Sequence, residues 1–149
     1  MTLEEKIGKD LIVAMKARDK ATLRALHSIK AEILLHKTSG LGVELDQAGE
    51  IKILQKMVKQ RRDSLAIFEE QSREDLATIE REEIEVISKF LPQQMGEEEL
   101  SSFVTALVAE LGASGMKDMG RVMGEANKRL AGKAEGKMIA TVVKNLLTQ

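Results

Sequence analysis

The sequence predicts an all-α, multihelical protein of about seven helices in two subdomains, and three observations carry that prediction. Helix-forming residue types (Ala, Leu, Glu, Lys, Met and Ile) dominate the 149 residues, and there is one proline, Pro92. A β-protein of this size needs many turns, and turns recruit Pro, Gly, Asn and Asp. Apolar residues recur every three or four positions along most of the chain, which is the period of a helix with one buried side. Hydrophobic residues make up 43% of the chain and the net charge is −1, a balance that supports a packed core rather than disorder.

The first helix is expected over residues 3–17. Thr2 and Glu5 have capping-box spacing, and Leu3, Ile7, Leu11, Ala14 and Met15 form its apolar side. Asp19 is placed to cap a second helix that carries Leu23, Leu26, Ile29, Ile33 and Leu34 and ends near Thr38. Ser39-Gly40-Leu41-Gly42 reads as the most flexible loop of the chain. Asp46 can cap a long third helix with Ile51, Leu54, Val58, Leu65 and Phe68 inward. Arg61 and Arg62 interrupt that stripe, as either a snorkelling edge or a functional break. Its apolar spacing is too broken for a coiled coil. Ser72 is expected to open a fourth helix, with Asp75 three residues on and Leu76, Ile84, Ile87 and Leu91 following. Pro92 ends it.

Gln93 to Gly96 reads as a hinge between subdomains of residues 1–94 and 95–149. A fifth helix begins at Glu97-Glu98-Glu99, where carboxylates suit the positive end of the helix dipole, and ends at Gly112. A sixth spans about residues 117–130, with Ser114 read as a cap and Met119, Val122, Met123 and Ala126 inward. A seventh spans about residues 135–147, along Met138, Ile139, Val142, Val143, Leu146 and Leu147.

Charge is segregated along the chain. Residues 69–99 hold eleven acids against three bases. Residues 117–149 hold seven bases against three acids, and residues 6–37 eight against three. Basic surfaces attract polyphosphates by releasing counterions, so an RNA partner should meet the ends of the chain rather than its middle. The alternative is that these are ordinary solvated helix faces.

Several chemistries lack their residues. There is no cysteine, hence no disulfide and no thiolate site, and there is no Trp or Tyr for stacking unpaired bases. The Gly-Lys pairs at Gly8, Gly132 and Gly136 lack the rest of a phosphate-binding loop. Ser114 and Lys117 have S-x-x-K spacing without its partner motifs. His27 and His36 are not spaced to share a metal. No glutamate is marked as buried beside a wet one, so no acid–base pair is assigned. No catalytic residue, metal or cofactor is therefore expected. No apolar run reaches the length of a membrane span, and the N-terminus is charged from Glu4, so the expected location is the cytoplasm.

The most specific stretch is Lys117-Asp118-Met119-Gly120-Arg121-Val122-Met123-Gly124. Gly120 and Gly124 share one helix face, and each costs about 1 kcal/mol of helix stability against alanine. A bare strip serves either tight helix packing or close approach of an RNA backbone. The turn Ala131-Gly132-Lys133-Ala134-Glu135-Gly136-Lys137 has backbone amides and two lysines that can hold a phosphate. The candidate RNA contacts are Lys117, Arg121, Lys128, Lys133, Lys137 and Lys144, on a surface shaped by Gly120, Gly124, Gly132 and Gly136.

These residues carry a resemblance. Gln60-Arg61-Arg62-Asp63-Ser64, Phe68-Glu69, Arg73-Glu74-Asp75-Leu76-Ala77, Glu83-Ile84 and Phe90-Leu91-Pro92-Gln93-Gln94-Met95, with the two glycine–lysine stretches above, resemble the YqeY-like proteins of the GatB/YqeY group over essentially the full length. Gly96 stands where that group usually has a hydroxylated cap. The resemblance implies a larger N-terminal bundle and a three-helix C-terminal piece. That piece is similar to the helical tail of the GatB component of the glutamine-dependent aspartyl/glutamyl-tRNA amidotransferase, which touches tRNA. It implies a tRNA-binding or tRNA-metabolism accessory role, with tRNA and a protein of tRNA aminoacylation as partners. A helical protein-interaction adaptor is the alternative, using the Met-rich sixth and acidic fourth helices. A carbon–nitrogen ligase label with glutamine as amido donor would be inherited by name, because none of that machinery can be placed on this sequence.

Overall fold

The structure, a computed structural model, describes residues 1–39 and 44–148. The loop expected at Gly40-Leu41-Gly42 lies outside the described residues. Within them the chain is all-α, with seven α-helices, one 3-10 turn and no strand. The helices are α1 (Leu3–Ala17), α2 (Lys20–Lys37), α3 (Gln47–Glu70), α4 (Glu74–Ser88), α5 (Glu97–Leu111), α6 (Met119–Arg129) and α7 (Gly136–Leu147); the 3-10 turn, Met116–Asp118, leads into α6. They form two compact units, Met1–Leu91 and Pro92–Gln149. No described helix is long and apolar enough to cross a membrane.

Local rules set the helix starts of the first unit. The Thr2 hydroxyl accepts from the Glu5 N–H at 3.2 Å, and the Glu5 carboxylate accepts from the Thr2 N–H at 2.8 Å, which completes the capping box of α1. The Asp19 carboxylate caps α2 through the Thr22 N–H, and Asp46 caps α3 through the Gly49 N–H at 2.8 Å. The Glu50 carboxylate then accepts from the Leu3 N–H at 2.6 Å and joins the start of α3 to that of α1.

Two corners share one device. At the end of α1, the Arg18 N–H donates to the Met15 carbonyl and the Asp19 N–H to the Ala14 carbonyl. At the end of α3, the Ser72 N–H donates to the Glu69 carbonyl and the Arg73 N–H to the Phe68 carbonyl. Both are Schellman closures, and each puts a non-glycine residue in the left-handed region, Arg18 at φ 55° and Ser72 at φ 56°. Ser72 therefore does not cap α4 as expected. The backbone that closes α3 places it in the wrong conformation for a cap, and Arg73 takes the capping position before α4 with no side-chain cap. The Asp75 carboxylate instead receives the Arg73 guanidinium at 3.0–3.1 Å.

The core of the first unit combines Ile7, Leu11, Leu26, Ile29, Ile33, Leu54, Met57, Val58 and Ile87. The buried residues of α3 all lie in its first half, and Leu65 and Phe68 beyond Arg61 are half-exposed. On α4 the buried residues are Ala77, Glu83, Val86 and Ile87, while Leu76 and Ile84, expected inside, are only partly covered.

Glu83 corrects the expectation that no glutamate stands out. It is 3% exposed and is the one buried charged residue among those described. One carboxylate oxygen accepts from Arg24 Nε of α2 at 2.9 Å, and the other is ion-paired with the Arg61 guanidinium of α3. Arg61 also donates to the Ser28 hydroxyl at 3.1 Å and lies 3.5 Å from the Glu80 carboxylate. The interruption at Arg61 is thus an ionic joint among α2, α3 and α4. A buried carboxylate is tolerable only when both its oxygens are matched, as they are here by two guanidinium groups.

In the second unit, Leu100, Val104 and Leu107 of α5 pack with Val122 and Ala126 of α6, then Leu130 and Ala134, and Ile139, Val143 and Leu147 of α7. Gly112 closes α5 at φ 64°, a conformation that costs a glycine nothing sterically.

A candidate nucleic-acid interface on the second unit

Asp118 builds the entrance to α6. Its carboxylate accepts from the Ser114 N–H at 2.9 Å and lies 3.2 Å from the Arg121 guanidinium. The Ser114 N–H bond, followed by the charges of Arg121 and Lys117, holds the Asp118 carboxyl below its ordinary range. Ser114, expected as a cap, makes no side-chain cap; its backbone N–H is instead the group that Asp118 captures.

Val122 and Ala126, four residues apart, fix the inward side of α6. Helical geometry then sets Gly120, Arg121, Gly124 and Lys128 on the outward side, and all four are exposed, as is Lys117 in the preceding turn. A Cβ built on Gly120 or on Gly124 meets no atom within 4 Å. Among the described residues, neither glycine lies in a close helix contact. What remains is a strip of bare helix backbone bordered by basic side chains and open to solvent.

The cations on this unit fall into two groups. Arg129 is bound to both oxygens of Glu110, at 2.8 and 2.9 Å, and to Glu125 at 3.2 Å. Arg121 is held by Asp118. Lys117, Lys128, Lys133, Lys137 and Lys144 make no ion pair among the described residues. On α7, Lys137 and Lys144 are exposed on the side away from Ile139, Val143 and Leu147. The structure therefore brings together Lys117, Gly120, Arg121, Gly124 and Lys128 on α6 and its entrance, and separately Lys137 and Lys144 on α7.

The turn between α6 and α7 is less free than its sequence suggests. Gly132 is buried, at φ 78°. The Lys133 N–H is taken by the Leu130 carbonyl at 2.8 Å, and the Lys133 carbonyl accepts from the Met95 N–H at 2.9 Å. The Gly132 carbonyl accepts from the Gln94 amide at 2.6 Å. The Lys133 amide expected to face a phosphate is thus spent internally. Gly136 opens α7, which has no side-chain cap. The segment read as a hinge is likewise tied into the second unit by Gln94 and Met95. Residue spacing gives no signal for Gln94, because its partner Gly132 lies 38 residues away and is set by how the chain closes on itself. The partners of Asp118, Ser114 and Arg121, are four residues back and three on, a local spacing that could have been read.

Residues 4–147 match the family model described as Yqey-like protein. The chain belongs to the YqeY-like family. Its relatives include the protein named altered inheritance of mitochondria protein 41, mitochondrial, from Pyrenophora tritici-repentis, 27% identical over 131 residues, or 87% of this chain and 71% of that one. The protein of the same name from Lachancea thermotolerans is 32% identical over 107 residues, 70% of this chain and 57% of that one. The uncharacterized protein C22F3.15 from Schizosaccharomyces pombe is 31% identical over 91 residues, 61% and 73% of the two chains. The alignments cover between 57% and 73% of the length of these three relatives. The names of the first two correct the cytoplasmic expectation, because those proteins are mitochondrial. Charge and the lack of a long apolar run carry no information on which aqueous compartment a helical protein occupies.

Proposed function

We propose that this YqeY-like protein is an accessory module of tRNA metabolism that binds tRNA through its phosphate backbone with the second unit. The observation that carries the reading is the outward side of α6, where lysines without ion pairs among the described residues border two glycines at which an added Cβ would meet none of them. A polyanion gains from unpaired lysines by counterion release, and a helix without side chains on one strip lets a backbone come close. Arg121 contributes once it exchanges Asp118 for a phosphate. The resemblance to the tail of an amidotransferase component supplies tRNA as the RNA in question. Such binding is positioning without base readout, so affinity is modest and depends on salt.

Filter binding of the full chain to bulk tRNA at low salt tests this. Saturable binding is expected, with log K falling as log salt rises. The double variant K117E/K128E should bind more weakly and reduce the salt slope by about two. Absence of saturable binding at micromolar protein overturns the reading.

The adaptor reading keeps one supporting observation: Ile12, Val13 and Met15 on α1 and Leu34 and Leu35 on α2 are exposed. Its expected docking side on α6 is weakened, because Met119 and Met123 pack against the core of the second unit. A stoichiometric protein partner that survives nuclease treatment would favour it. The ligase reading rests on a family name, and requires the protein alone to transfer ammonia onto a misacylated tRNA.

A further inference from the structure

We infer that Gln94 is a positioning residue that locks the α6–α7 turn and so sets how the second unit presents Lys133; its role toward RNA rests on the reading above. The Gln94 side-chain amide donates at once to the Pro92 carbonyl at 2.7 Å and to the Gly132 carbonyl at 2.6 Å. Both protons of one nitrogen are used, so the amide bridges two stretches of backbone, the Gly132 side lying 38 residues away in the chain. The next residue repeats the tie, with the Met95 N–H on the Lys133 carbonyl at 2.9 Å.

The turn needs such a tie. Gly132 sits at φ 78°, where the chain reverses between Leu130 and Ala134, both buried. Its carbonyl is turned away from the helix ladder and has to find a donor elsewhere. Without Gln94 it has water, and the peptide between Gly132 and Lys133 gains freedom to rotate. Lys133 is exposed and makes no ion pair among the described residues, so no side-chain partner holds it and the backbone of the turn sets the point and direction from which its side chain leaves. Pro92 supports the arrangement from the other end: its ring fixes φ and leaves its carbonyl to accept from Gln94. A glutamine is required because the task is to donate twice from one atom at the end of two methylenes. Ionised glutamate has only acceptors there, and methionine has no donor.

The test uses the full chain with Gln94→Met and Gln94→Glu, alone and with Lys133→Ala. Peptide-resolved hydrogen exchange is measured over residues 130–138 without RNA, and tRNA binding by filter titration. Exchange in that segment should rise about fivefold in both Gln94 variants, the loss of one net hydrogen bond, with α5 unchanged. The tRNA Kd should rise two- to fivefold in Gln94→Met, and Gln94→Met should add nothing further once Lys133 is alanine. Unchanged exchange overturns the lock, whatever RNA does. Raised exchange with an unchanged Kd, or with additive effects of Gln94→Met and Lys133→Ala, overturns the positioning of Lys133. Raised exchange in a chain that never binds tRNA overturns the RNA role and leaves the lock standing.

Discussion

Glu83→Ala should loosen the first unit far more than Glu82→Ala, although both residues answer the same arginine. Arg24 donates through Nη2 to Glu82 at 2.8 Å and through Nε to Glu83 at 2.9 Å. The two carboxylates differ in setting: the Glu82 side chain is 43% exposed and the Glu83 side chain 4%. Removing one member of a buried pair costs about 3–5 kcal/mol, because the partner charge is stranded. The groups left behind are Arg24, 40% exposed and still paired with Glu82, and Arg61, 23% exposed with Glu80 at 3.5 Å; these remaining partners and partial rehydration lower the expected cost to about 2–3 kcal/mol. An exposed pair contributes about 0–1 kcal/mol, which bounds Glu82→Ala. With a urea slope of about 1 kcal/mol per molar for a small unit, the midpoint should fall by about 2–3 M for Glu83→Ala and by under about 1 M for Glu82→Ala. The chain has no Trp or Tyr, so the assay is pulsed hydrogen exchange along a urea series, read on peptides from α2 and α4. Glu83→Gln keeps the volume and one acceptor and should fall between them. Equal shifts for Glu83→Ala and Glu82→Ala would refute the claim that the buried carboxylate joins three helices.

Ser72→Gly should stabilise the first unit by about 1 kcal/mol in the same assay, because it removes the strain of a left-handed serine while the Schellman bonds stay. Gly120→Ala and Gly124→Ala should each stabilise α6 by about 0.5–1 kcal/mol, since neither new methyl group meets an atom, and each should weaken tRNA binding; tighter binding would refute the bare-strip argument. Asp118 is held below its unfolded carboxyl value, so its contribution is present above about pH 4 and is lost as pH falls through the lower folded value. Asp118→Asn should therefore flatten the acid limb of a stability–pH curve for the second unit and leave its alkaline limb unchanged.

The parts of the fold legible in the sequence are those governed by neighbours a few residues away. Thr2 with Glu5, Asp19 and Asp46 start helices where their spacing says, because a cap acts on an amide three residues on. Gly112 ends α5 for an equally local reason. Ser72 misled because one residue was claimed by two local motifs, and the closure of α3 left no conformation for a cap. Pro92 marks the right neighbourhood for a boundary, yet Gln94 and Met95 beside it are bound to Gly132 and Lys133 of the second unit, which only closure of the chain brings within reach.

By itself, the sequence determined that the chain is helical, where most helices begin and end, and which residues are basic on α6 and α7. Periodicity carries this information because hydrogen bonds in a helix run between residues four apart. Tertiary structure alone decided that Glu83 is buried between Arg24 and Arg61, that Arg129 is occupied by Glu110, and that Gly120 and Gly124 face solvent. Each of these depends on which helix lies opposite, a relation between residues as many as 59 apart that no local pattern encodes.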